Sequence, residues 1–113
     1  MAKKLPDPLS RRHLLERDLP AAQALATAEA YLAEGRSVDA IDFLAMADAP
    51  ERLAELRAQA VEAGDLFLLR AVARASGTAP TRDEWAALAA AAEAAGNLAY
   101  AADARRQAER QAG

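Results

Sequence analysis

Alanine decides what this chain can become. Of its 113 residues 34 are alanine and 15 leucine, whereas Val38, Ile41, Val61 and Val72 are the only β-branched aliphatics. Alanine costs least to place in a helix, while strands draw on branched and aromatic side chains. No window alternates apolar and polar residues with period two. The fold class is therefore all-α, and the length is that of a single domain.

Proline, glycine and capping residues then cut the chain into seven helices. Asp7-Pro8 supplies a side-chain acceptor and a proline at the first helical position, opening a short helix that runs to about Asp18. Pro20 opens the next, which stops at Gly35, and Ser37 caps a third. A fourth runs from Pro50 to Gly64, and a fifth, capped by Asp65, ends near Ser76-Gly77. Thr81 with Glu84 three residues later forms a capping box for the sixth, and Asn97 caps the seventh. The organisation expected is a basic N-terminal segment with a short helix (1–19) followed by three helix pairs at 20–47, 50–76 and 81–111.

Charge and inventory exclude several function classes. Fourteen basic against 17 acidic residues give a net charge of −3. Lys3, Lys4, Arg11, Arg12 and Arg17 against Asp7 and Glu16 make the first stretch positive, so the rest is the more acidic and should repel nucleic acid. Lys3 and Lys4 run into Leu5-Pro6-Asp7-Pro8 rather than an apolar segment, so no secretory signal is expected. The apolar stretch from Trp85 to Ala92 falls far short of the ~20 residues a membrane helix needs. A cytoplasmic protein without membrane or nucleic-acid partners is expected. Cysteine is absent and His13 is the sole histidine, which leaves no Cys/His metal site or nucleophile pair. Gly64, Gly77 and Gly96 read as helix stops, not as a phosphate-cradling loop. The carboxylates of Glu55 and Glu62 read as a solvated helix face rather than an acid/base pair. Neither enzymatic activity nor a cofactor is expected.

The glycines carry the remaining information. Gly35, Gly64 and Gly96 each separate two helices at a spacing of roughly 30 residues. Seven and four residues before them stand Ala28 and Tyr31, Arg57 and Ala60, Ala89 and Ala92. Two and five residues after them stand Ser37 and Ala40, Leu66 and Leu69, Leu98 and Ala101. Over residues 20–111 this pattern resembles the tetratricopeptide repeat, a helix-turn-helix unit with Trp, Leu and small residues on its first helix and Ala on its second. Trp85, Leu88, Ala89, Ala92, Gly96, Leu98, Ala101 and Ala108 carry it in the third unit, with Ala92 where the family has an aromatic. The first unit matches at Ala28, Tyr31, Gly35, Ala40 and Ala47 and departs at Ala24 and Ser37. The second keeps Leu53 and Leu56 but has Arg57 where a small residue belongs. Another helical solenoid, of the coatomer or clathrin-arm kind, shares the same physics.

The resemblance implies a right-handed superhelix of helical hairpins whose first helices line a concave, protein-binding groove. Transferred by register, the groove positions include Glu29 and Leu32, then Glu51, Glu55, Ala58 and Glu62, then Asp83, Ala90 and Glu93. The set is acidic and small, without lysine, arginine or asparagine, so it departs from the carboxylate-clamp subfamily. A non-enzymatic adaptor or scaffold for a basic or amphipathic segment of another protein is the expectation; a structural subunit that homo-oligomerises through the same surface is the alternative. Trp85, Phe43, Leu44 and Phe67 are expected in the core. Arg105, Arg106 and Arg110 are expected to favour the helix dipole at the end of the seventh helix.

Overall fold

The computed structural model describes residues 5–16 and 19–112. These form seven α-helices and no strand: α1 (Pro8–Glu16), α2 (Ala21–Ala33), α3 (Ser37–Met46), α4 (Pro50–Ala63), α5 (Leu66–Ser76), α6 (Arg82–Ala94) and α7 (Leu98–Ala112). The expected extension of the first helix to Asp18 lies outside the described residues.

Local chemistry sets the ends. Asp7 accepts from the Ser10 amide at 2.8 Å, Asp65 from Leu68 at 3.0 Å and Asn97 from Tyr100 at 3.0 Å, so three helices begin on a side-chain acceptor. At α6 the capping box is complete: Thr81 Oγ1 accepts from the Glu84 amide at 3.1 Å, and the Glu84 carboxylate accepts from the Thr81 amide at 2.9 Å. Ser37 does not cap α3. It is already helical, Arg36 holds the cap position, and no side-chain cap bond is made. The Arg36 guanidinium instead pairs with Asp39 at 2.8 Å.

One closure ends five successive helices. The amides of Arg36, Ala49, Asp65, Thr78 and Asn97 donate to the carbonyls of Tyr31, Leu44, Ala60, Ala73 and Ala92, each five residues back. The residue just before each donor is left-handed, and it is glycine at every turn but one, where Asp48 adopts φ 51°. This closure satisfies carbonyls that a helix end would otherwise orphan, and it favours a residue that tolerates positive φ.

The chain divides into two compact units, Met1–Leu53 and Ala54–Gly113, and α4 runs through the division. In the first unit α2 packs on α3. Its core holds Ala24, Ala28, Tyr31, Ala40, Ile41, Phe43 and Leu44, with the Tyr31 and Phe43 rings stacked at 5.8 Å. Helix α1 buries none of its residues. Arg11 ties it down: its guanidinium donates to the Asp39 carbonyl at 2.8 Å and to the Asp42 carboxylate at 3.3 Å, and lies over the Tyr31 and Phe43 rings at 5.6 and 5.4 Å.

In the second unit α6 packs on α7. The core comprises Leu56, Ala60, Leu66, Leu68, Leu69, Val72, Ala73, Trp85, Leu88, Ala89, Ala92, Ala101 and Ala104. Trp85 with Leu88, Ala89 and Ala92 thus forms the buried stripe expected of it, and Phe43 and Leu44 are buried in the first unit. Phe67 is not: at 61 % exposure it stands outside the core. It falls between Leu66 and Leu68 on a helix whose inward faces those two already occupy, which leaves position 67 pointing away at 100° per residue.

Two contacts place α4 beside α6, running the same way. Arg57 on α4 reaches Glu84 in the first turn of α6, and about two turns later Gly64 lies against the backbone of Ala91 and Ala92. A Cβ built on Gly64 would stand 2.6 Å from the Ala92 Cα and 2.9 Å from the Ala91 carbonyl carbon. Glycine is therefore needed at position 64 for close approach as well as for φ 67°.

Candidate functional site

The helices distribute the residues expected in a groove over both units. In the first, Glu29 on α2 accepts from Arg52 at 2.7 and 3.2 Å, so its charge is met within the unit. Leu32 is half-buried and Glu51 is exposed in the first turn of α4.

The second unit brings a coherent set together. Glu55, Ala58 and Glu62 are spaced i, i+3, i+7 on α4 and all are exposed. Asp83 and Ala90 have the same relationship on α6, with exposed Ala87 between them. With α4 and α6 parallel and adjacent, these residues give two neighbouring outward strips in which three carboxylates stand among alanines. Glu93 pairs with Arg105 of α7, which turns its charge toward the α6/α7 side of the unit.

Arg57 is what residue patterns missed. Its Nε and Nη2 donate to the two Glu84 carboxylate oxygens at 2.6 and 2.8 Å, and its remaining donors reach the carbonyls of Thr78 and Ala79 at 2.9 and 3.0 Å. The hydrogen bond from Arg57 holds the Glu84 carboxyl at about 2 against an ordinary 4.5, with the Thr81 bonds adding to it and partial burial opposing. Arg57 is raised in return, by the same bond. A residue that breaks the repeat pattern thus fastens the α5–α6 connection to α4. Gln111 on α7 secures the same connection at the Pro80 carbonyl, 2.7 Å away.

Ala90 also borders a shallow open trough, across which Ala86, Ala89 and Ala90 face Ala108, Arg105 and Glu109 of α7. Arg106 pairs with Asp103 at 3.5 Å, and Arg110 stands in the last turn of α7. Among the described residues no group of three His, Cys, Asp or Glu side chains is placed to hold a metal ion, and no helix is long and apolar enough to cross a membrane. Comparison with known proteins adds no relative: no protein-family model, curated protein or solved structure matches the chain.

Proposed function

We propose that this chain is a non-enzymatic adaptor or scaffold of the tetratricopeptide-like kind, which binds a basic or amphipathic segment of another protein on the acidic face of α4 and α6. One observation carries the reading: Glu55, Glu62 and Asp83 stand exposed among Ala58, Ala87 and Ala90 on two parallel neighbouring helices. Small side chains let a ligand backbone approach, and the carboxylates select its charge. The side-by-side course of α4 and α6, and the closure repeated at the ends of five helices, support a stack of helical hairpins.

The test uses a synthetic lysine–leucine amphipathic peptide and its glutamate-for-lysine counterpart, each titrated into the purified chain. The basic peptide should bind, and the Glu55→Lys/Glu62→Lys double variant should weaken it ~10-fold or more, with raised salt acting in the same direction. Equal affinity for the two peptides, or indifference to salt, would overturn the reading. Because both substituted residues are exposed, the melting temperature of the variant should stay close to that of the parent.

A further inference from the structure

Helix α1 is fastened to the first unit by one side chain, and the groups that receive it form a site of their own. The Tyr31 ring of α2 and the Phe43 ring of α3 stack at 5.8 Å, and the Arg11 guanidinium lies over both, 5.6 and 5.4 Å from their centres. Its Nη2 donates to the Asp39 carbonyl at 2.8 Å and to the Asp42 carboxylate at 3.3 Å. Two aromatic rings, a carbonyl and a carboxylate thus converge on one planar cation. A guanidinium can lie against rings while its edge donates hydrogen bonds; a lysine ammonium has no plane to lay there.

The rest of α1 holds on loosely. It buries none of its nine residues: Leu14 and Leu15, three and four positions after Arg11 on the same face, are half-buried, and Leu9 is 64 % exposed. Against that grip stands the entropy of ordering a helix too short to persist by itself. The fit is also incomplete. Arg11 Nε is buried with no hydrogen-bond partner among the described residues, and it stands 4.0 Å from an Asp39 oxygen while that carboxylate pairs with Arg36 at 2.8 Å. A guanidinium brought in on another backbone could close the gap and satisfy the donor.

We propose that the Tyr31 and Phe43 face of α2 and α3 is an arginine-binding site for a helix of another protein, and that α1 is its resident, displaceable occupant. The chemistry of the ligand is what the site already holds: one arginine, followed three and four residues on by leucine. Because the chain joins α1 to the site, α1 competes at high effective concentration and sets a threshold that the incoming helix must exceed. All the groups involved lie in the first unit, so this site is separate from the acidic face of α4 and α6.

The probe is a synthetic peptide of residues 5–16, which carries Arg11, Leu14 and Leu15, labelled and titrated into the whole chain. The Arg11→Ala chain, its site vacated, should bind the peptide ~10-fold or more tightly than the parent, whose own α1 competes. An Arg11→Lys peptide should bind the vacated chain ~10-fold more weakly. Adding Asp42→Lys to that chain should weaken the arginine peptide too, without changing the fold, because Asp42 is exposed. In the parent chain, excess peptide should speed amide exchange over residues 8–16 as α1 is displaced. No binding to a folded Arg11→Ala chain, equal binding of the arginine and lysine peptides, or unchanged exchange at excess peptide would overturn the proposal. Glu55→Lys/Glu62→Lys should leave this binding intact; a loss there would put the peptide on α4 and α6 and overturn the site while leaving the acidic face standing.

Discussion

Arg57 grips Glu84 through two parallel hydrogen bonds, 2.6 and 2.8 Å long, with side chains only 16 % and 25 % exposed. Such a pair is short, charge-assisted and geometrically specific. Here it joins the middle of α4 to the first turn of α6 while the same carboxylate completes the cap of α6, so loss of either partner disturbs both a helix start and a helix contact.

The pair makes stability depend on acid. Glu84 titrates at about 2 in the folded chain against 4.5 ordinarily, so the unfolded chain binds the proton first and folding is favoured at and above the ordinary value. That contribution is lost as pH falls from 4.5 toward 2. Arg57→Met should cost ~1–3 kcal/mol at neutral pH and should flatten this acid limb. Denaturant melts of both proteins across that range measure it; parallel curves would show that Glu84 is not held down by Arg57.

Gly64 and Gly96 separate two effects that a sequence cannot. Both are left-handed, at φ 67° and 84°, but only Gly64 lies against another helix. Gly96→Ala should cost ~1 kcal/mol for backbone strain alone, and Gly64→Ala clearly more, ~2–4 kcal/mol, because the Ala92 backbone must move. Equal losses in thermal melts would remove the close crossing.

Arg11 holds α1 to the first unit without any buried side chain from that helix. A helix of nine residues is too short to persist alone. Arg11→Ala should therefore free α1, seen as faster amide exchange and proteolysis over residues 8–16, with little change in the cooperative unfolding of the remainder. Unaltered protection would mean that other contacts hold it.

The Tyr31 ring is fully buried while its hydroxyl has no hydrogen-bond partner among the described residues. Burying an unpaired hydroxyl is costly, so Tyr31→Phe should leave stability equal or raise it by ~0.5–2 kcal/mol. A loss of stability would place an unseen partner at that oxygen.

Helix identity was legible in the sequence because its signals are local. Asp65, Thr81 with Glu84, and Asn97 act within three residues of themselves, and glycines that end helices need no distant partner. Ser37 misled by one position, since a serine beside a glycine turn looks like a cap even when Arg36 takes that role. Long-range facts stayed hidden. Nothing near Arg57 names Glu84 or the Thr78 and Ala79 carbonyls, and Gly64 reads as a helix stop until Ala92 is seen against it. Hydrophobicity alone places Phe67 in the core, but a helix buries only the faces its neighbours cover. Of the acidic positions, Glu55, Glu62 and Asp83 are exposed in the second unit, and Glu29 and Glu93 pair with Arg52 and Arg105.

The proposed function requires that the acidic face of α4 and α6 bind a basic segment. Amide NMR spectra of the chain, recorded while the lysine–leucine peptide is titrated in, test it most directly. Shifts should concentrate at Glu55, Ala58, Glu62, Asp83 and Ala87 and vanish in the Glu55→Lys/Glu62→Lys variant. Shifts centred elsewhere, or a spectrum unchanged at saturating peptide, would contradict it.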